Sequence, residues 1–408
     1  MEKLTGIMFF ATLLCFTAFI GVTYGFGVYL FPALAPEMMR DIEFTYRDMG
    51  LATGLAQAGF LCCALLSGLL TKRYGGFTII RISLLTCLLS LAGIVITDSF
   101  MVISAMLVLL GGSAAAVWTP MAELSQRFFA SRHQGKSLGL MSSGTAYGVF
   151  INSLLIAVVF QTYGWRAIWL ISCVLVVLLC AGSFILLGTL ERLDQPPKPQ
   201  AETQMRTEPT VASQIKSLPL GNTSLILCLM LLNGFACIPF QTYLTSFLVD
   251  EHMFNLQNSA NAWRLIGLIG MFSGFAMGAL GDRITIRWSL LITYGALGLA
   301  TSMLLIGQVE TFHLYIIASA FGLAFYAIFG LLPAYISHNY QGNKASIVFA
   351  FGNIALGLGG IIGNAAGGMI KQQTGSFAGL YSAILIVTCV SIGLCFRLKP
   401  ESSLRKIG

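Results

Sequence analysis

Gly68-Leu-Leu-Thr-Lys-Arg73 returns about 210 residues later as Gly278-Ala-Leu-Gly-Asp-Arg283. Each hexapeptide closes an apolar run and opens a short basic loop. Reading outward from the two, other matched pairs keep the same order. Pro120 answers to Pro333, Gln134-Gly135 to Gln341-Gly342, and Gln161-Thr-Tyr-Gly164 to Gln372-Gln-Thr-Gly375. No single pair decides anything, but a common offset held along the whole chain describes two copies of one unit.

The composition says what kind of unit this is. Of 408 residues, 56% are hydrophobic and only 10% charged, whereas a soluble domain carries roughly 25% charged residues. Only a bilayer removes the need for a polar exterior on a chain this apolar. A membrane-spanning helix needs about 20 predominantly apolar residues, and twelve stretches meet that length. They lie at about 6–34, 48–70, 78–97, 101–127, 135–162 and 166–188, then 221–249, 257–280, 287–307, 312–337, 344–370 and 377–397. The run from Gly6 to Leu34 is too long for a signal peptide and reads as the first span. The expected fold is all-α, with twelve transmembrane helices in two pseudo-symmetric six-helix bundles. Its expected parts are a first bundle over 1–190, a polar linker over 191–219 containing Pro196, Pro197, Pro199 and Pro209, and a second bundle over 220–408.

Basic residues orient the spans. With the N-terminus inside, cytoplasmic segments hold 18 of the 23 Lys and Arg residues. Arg40, Arg47, Arg166 and Lys371 fall on the other side, and Arg264 lies within a span. Both termini and the linker are therefore expected in the cytoplasm, with the chain in the cell inner membrane. The net charge of +7 is spread over short loops and forms no continuous basic face, which argues against a nucleic-acid partner. The ten cysteines all sit in apolar stretches without metal-ligand spacing and read as packing residues.

These residues resemble the major facilitator superfamily. Its loop signature, G-x-L-x-D-R-x-G-R-R, is met at Gly278, Asp282, Arg283 and Arg287, and at Gly68, Leu70, Arg73 and Gly75, with Lys72 in place of the acidic residue. Gly164-Trp-Arg-Ala-Ile-Trp169 is similar to the family's entry into helix 6. The resemblance implies the twelve-helix fold named above and a gating role for Gly68, Lys72, Arg73, Gly278, Asp282 and Arg283. Glu123, the one carboxylate placed inside a span, is the expected counter-charge of Lys72. Tyr24-Gly-Phe-Gly-Val-Tyr-Leu-Phe-Pro32, together with Phe128-Phe129 and Arg132-His-Gln-Gly-Lys-Ser-Leu-Gly139, resembles the monocarboxylate and oxalate/formate transporter relatives. That subgroup carries an arginine where this chain has Gly274, so its carboxylate-binding residue is not carried over.

Arg264 is the sharpest candidate for substrate contact. A guanidinium inside a span costs about 2.5–3.5 kcal/mol on insertion scales and so should face a wet cavity or a partner. Its flat fork of donors suits a carboxylate; snorkelling to the headgroups is the alternative. Tyr24, Tyr29, Asn233, Gln241, Tyr243, Tyr326, Asn353 and Asn364 are the further cavity candidates on helices 1, 7, 10 and 11, each of which could equally brace one helix on another. The glycines of helix 11, including Gly352, Gly359 and Gly367, fit close packing and sliding.

The sequence offers no nucleophile–base pair, metal cluster or phosphate-binding loop, so neither an enzyme nor a cofactor is expected. The expectation is a monomeric secondary transporter of a small organic solute, specifically an organic anion such as a carboxylate. Duplicated halves imply a central site and alternating access. No central carboxylate is present as a proton relay, which leaves a proton carried with the substrate or an exchanged anion as coupling partner. An efflux protein for lipophilic or cationic compounds, and a non-transporting sensor or scaffold of the same fold, are the alternatives.

Overall fold

The computed structural model describes residues 6–129, 131–194, 218–307, 309–340 and 343–399. Most of the expected linker, the Gln341-Gly342 pair and the side chains of Arg132, His133 and Gln134 lie outside the described residues.

The described residues form twelve helices. In chain order these are α1 (Gly6–Asp41), α2 (Tyr46–Tyr74), α3 (Gly76–Ile96), α4 (Phe100–Phe128), α5 (131–163) and α6 (165–193). The second set is α7 (Leu220–Asp250), α8 (Leu256–Ile284), α9 (Ile286–Leu304), α10 (Thr311–Asn339), α11 (Asn343–Thr374) and α12 (Ala378–Arg397). Helices α5 and α6 meet at Gly164, whose φ of 71° is open to glycine at little cost. The starts of α2 and α8 are fixed locally. Thr45 and Asp48 form a reciprocal capping box, and the Asn255 side chain accepts from the Asn258 backbone N–H.

Most helix ends shift from the sequence reading by five residues or fewer, and α1 shifts most. Helix α9 stops at Leu304, three residues short of the expected end. Helix α1 runs to Asp41, seven residues past Leu34, and carries Pro36 inside it. A proline in a membrane helix is accommodated when neighbouring groups and local changes of helix pitch re-satisfy the freed backbone. Here the helix widens to π geometry over Gly21–Tyr29 before it reaches Pro32 and Pro36. The extension brings Glu37 into the protein as a buried carboxylate, so Glu123 is not the only carboxylate on a spanning helix.

Packing repeats between the two sets of six. Helix α1 packs on α5 as α7 does on α11, α2 on α4 as α8 on α10, and α3 on α4 as α9 on α10. Helices α3 and α6 meet through Cys173 and Leu88, matching the packing of α9 on α12. The bundles touch each other in the same symmetric manner, α2 against α11 and α5 against α8. The α1–α5 crossing brings backbone onto backbone: a Cβ built on Gly148 would lie 2.3 Å from the Gly21 carbonyl oxygen and 2.7 Å from the Gly25 Cα. Its counterpart is α7–α11, where a Cβ on Gly359 would lie 2.0 Å from the Leu231 carbonyl oxygen. In a bilayer, such approaches stand in for the hydrophobic drive between helices.

The seam between α2 and α11 begins at Tyr46 and Gly368, passes Gly54 and Ile361, and reaches Leu61 and Gly357. There it stops: the next residues on that face, Leu65 and Ala350, are exposed. The molecule is thus closed at the end carrying Tyr46, Asp250 and Lys371, and splayed at the end carrying Tyr74, Phe128, Ile284 and Asn339.

Candidate transport site

The π segment, Gly21-Val-Thr-Tyr-Gly-Phe-Gly-Val-Tyr29, sits midway along α1. Wide turns of this kind leave main-chain carbonyls short of their usual partners and recur at functional sites. Asn152 on α5 answers one of them, its amide Nδ2 donating to the Gly25 carbonyl at 2.6 Å. Tyr24 then meets Phe60 of α2 edge-on at 5.9 Å, and Tyr29 meets Phe325 of α10 edge-on at 6.2 Å. Tyr326, beside Phe325, lays its ring against Gly270 of α8. Tyr24 and Tyr29 therefore tie α1 to α2 of its own bundle and to α10 of the other.

Beside this segment lies a narrow cleft between α1, α2, α4, α7 and α11. Its polar lining is Gln57, Gln241, Asn364, Thr53 and Thr242, and no charged side chain lines it. Gln241 and Asn364 are 5% and 2% exposed, and the Gln241 Oε1 and Asn364 Oδ1 atoms have no hydrogen-bond partner among the described residues. Both threonine hydroxyls donate backwards along their own helices, to Met49 and Ile238. Of the expected substrate residues, the structure brings Gln241 and Asn364 together here. Gln57 joins them from α2, a helix the sequence reading did not search.

The other candidates are distributed differently. Tyr243 braces α7 on α11, its hydroxyl donating to the Asn364 carbonyl at 2.6 Å. Asn233 is fully buried and accepts from the Cys237 thiol at 3.3 Å, while its Nδ2 has no partner. Asn353 is half-buried on α11, above the end of the α2–α11 seam. Arg264 is half-buried on α8 and does not line the cleft. Its Nε is buried without a hydrogen-bond partner, and no described carboxylate lies within 4.0 Å of it. At 1.5 Å per residue it lies about 12 Å below the start of α8, and Gln241 about 14 Å from the closed end of α7, so the two share a level. Trp263, its neighbour, donates to Thr245 of α7 at 2.9 Å.

The closed end is held by groups absent from the sequence reading. Tyr46 of α2 donates its hydroxyl to Asp250 of α7, which joins the two bundles. Lys371 stands 5.6 Å from the centre of the Tyr46 ring and 4.8 Å from that of Phe377. Its ammonium pairs with Glu251 at 2.8 Å, and Glu251 also accepts from the Phe377 backbone N–H at 2.7 Å. Glu37 pairs with Arg40 at 2.7 Å on the first-bundle side of this cluster. His252, in the loop after α7, packs on Phe247 at 4.7 Å, and burial pushes its pKa below the usual histidine value.

At the splayed end, Lys72 and Glu123 line one cleft of about 980 Å³ with Arg127, Glu191 and Asp194. Glu123 pairs there with Arg127, not Lys72, and Arg127 also reaches Asp194 at 3.1 Å. Arg81 pairs with Glu191 at 2.7 Å. These bonds tie α4 and α3 to the end of α6 within one bundle. Arg73, Asp282 and Arg283 are exposed at the same end, and Gly68 and Gly278 have open space where a Cβ would stand.

Two duplicated helical bundles, closed on each other at one end and splayed at the other around a polar central cleft, define a membrane transporter and not an enzyme. The Major Facilitator Superfamily profile matches residues 14–364, and the chain belongs to that family. It is similar to a hexuronate transporter of Bacillus subtilis (strain 168), with 21% identity over 85% of this chain and 84% of that protein. A nitrite extrusion protein of the same organism is 26% identical over 92% of this chain and 91% of its own. Among solved structures, a mutant of the nucleoside transporter NupG superposes with a TM-score of 0.71 at 12% identity, covering 95% of this chain and 99% of that one. A bacterial homologue of the human lysosomal transporter Spinster, inward-facing and unoccupied, gives 0.67 at 13% identity over 97% and 96%.

Proposed function

We propose that this protein is a secondary active transporter that carries a small organic anion, a carboxylate, across the cell inner membrane by alternating access. The observation behind this reading is Arg264. Its guanidinium stands at the level of the central cleft, with a buried Nε that nothing satisfies and no described carboxylate to neutralise it. A permanently charged group left so is costly, and a substrate carboxylate would relieve that cost. Two of the relatives lend it support, since each is named for an anion, hexuronate or nitrite. With both termini in the cytoplasm, as the basic residues favour, the closed end is periplasmic and the structure is inward-facing. A single cysteine at Gln200 in a cysteine-free background should then react only from the cytoplasmic side.

A second reading rests on the direction in which Arg264 projects. It shares its helix face with Leu268 and Phe275, both exposed. At 29 residues, α8 is about 43 Å long against a hydrocarbon core of about 30 Å, which puts Arg264 only about 6 Å below the boundary and within reach of the headgroups. On that reading Arg264 is an interfacial anchor and the solute is uncharged or lipophilic. Binding of a carboxylate panel to correctly inserted Arg264→Gln and Arg264→Lys protein decides between the two. The first reading expects a loss of at least tenfold for Gln and a smaller loss for Lys, which keeps the charge but not the fork. Unchanged affinity in both variants would remove Arg264 from the site.

A further inference from the structure

We propose that the cleft between α1, α2, α4, α7 and α11 is a hydroxyl-reading subsite, and that the transported solute carries a polyhydroxylated carbon skeleton. This takes the anionic end of the solute from the reading above, but the cleft makes its own case.

Two amides at this cleft are left incompletely satisfied. Gln241 and Asn364 are each more than nine-tenths buried, line the same cleft, and present an oxygen without a partner among the described residues. A buried polar atom left unpaired costs free energy, and sites with such atoms reject ligands that do not pair them. A ligand entering the cleft can bring that partner. Three features say what it is. First, the cleft has no charged side chain, so nothing there compensates an ammonium or a metal cation. Second, Thr53 and Thr242 line the cleft with hydroxyls that already donate to backbone carbonyls, which leaves them only accepting capacity. Acceptors of this kind call for ligand O–H donors. Third, a hydroxyl both donates and accepts, so it satisfies an amide in either of its two orientations. Gln57, opposite on α2, extends the same chemistry. Phe60 and Phe31 supply apolar faces. Alternating C–H faces and hydroxyl edges on one small molecule fit that lining.

The division of labour follows from the helices. Gln241 and Asn364 belong to the second bundle and Gln57 to the first. A hydroxylated chain bridging them would be held by both bundles at the closed end of the cavity, while a simple fatty acid would satisfy neither.

The experiment measures binding of gluconate, hexanoate and sorbitol to the purified full-length protein by thermal shift and calorimetry. These share six carbons and differ in the carboxylate and the hydroxyls. Gluconate should bind at least ten times more tightly than hexanoate. Gln241→Met should lower gluconate affinity by about 10- to 100-fold and leave hexanoate within twofold. Gln57→Met, at a half-buried position outside the α7–α11 packing, should do the same to a lesser degree and guards against misfolding of the first variant. Hexanoate binding as tightly as gluconate would overturn the subsite and leave the anion reading standing. Sorbitol binding as tightly as gluconate, with hexanoate inert, would support the subsite and sink the anion reading. Failure of both hydroxylated probes to bind would also overturn the subsite.

Discussion

Replacing Tyr46 by Phe should open the closed end. The ring contacts survive this change: Phe keeps the edge-on packing on Phe377, 5.1 Å away, and the aromatic face beneath Lys371. What is lost is one hydroxyl and its bond to Asp250, a direct bond between the two bundles at that end. A hydrogen bond to a charged acceptor is worth about 1.5–3 kcal/mol. Asp250 is exposed and Tyr46 half-buried, so water competes and screens, and a discounted value of about 1–1.4 kcal/mol is appropriate. At 1.4 kcal/mol per factor of ten, the ratio of closed-end to open-end conformers should fall by about 5- to 10-fold. Because the bond exists only when the bundles meet there, the shift has one sign, toward the outward-open state on the proposed orientation. Spin labels at Glu43 and Thr311, exposed positions on opposite bundles near this end, report the distance distribution in nanodiscs. The longer-distance population should grow by that factor in Tyr46→Phe and by less in Asp250→Asn, whose amide oxygen can still accept the hydroxyl. An unchanged distribution, or growth of the short-distance population, would show that the bond is incidental to closure and that the apolar seam of α2 on α11 carries it alone.

Two further outcomes follow from the same packing. Burial lowers the His252 pKa below its ordinary value near 6.5, so the folded protein takes up that proton less readily than the unfolded chain. The stability this contributes is present above about pH 6.5 and is lost as pH falls below it; thermal midpoints measured from pH 7.5 to 5.5 should fall more steeply for the parent than for His252→Phe. Gly148→Ala puts a Cβ onto the Gly21 and Gly25 backbone and should destabilise by about 1–3 kcal/mol. Gly139→Ala on the same helix, where nothing lies within 4 Å, should be close to neutral in the same melting assay.

The fold was legible because a bilayer enforces it. Every backbone polar group in a span must be satisfied within its own helix, so apolar length maps almost directly onto helices, and eleven of the twelve expected spans need only small boundary shifts. The exception is instructive. Helix α1 was expected to end near Leu34, where the apolar run that began at Gly6 stops; Pro36, Glu37 and Arg40 follow. Those residues are helical because the second bundle packs against this end of α1, information held by residues two hundred positions away. The duplicated motifs, by contrast, announced the symmetric packing without any long-range knowledge.

The site was legible only by residue type. Arg264 stood out as a lone cation among apolar neighbours, yet the face from which it projects depends on how α8 turns against α5 and α10. Gln241 and Asn364 were recognisable as amides inside spans, while their union in one cleft is a product of α7 crossing α11 at its glycines. Tyr243, of the same apparent class, is used up by that crossing as a brace. Gln57 had the same signal as Gln241, a single amide in an apolar run, but lies on α2, outside the helices 1, 7, 10 and 11 from which the cavity candidates were drawn. The π segment had no sequence signal at all beyond its glycines: it exists because Gly25 meets Gly148 and Asn152 satisfies the carbonyl that the wide turn releases. What makes a binding site here is therefore the mismatch between helices that satisfy their own backbones and side chains that do not find partners. That mismatch becomes visible only once the bundle is assembled, and Gln241, Asn364 and Arg264 are among the residues that show it, at one level of the membrane.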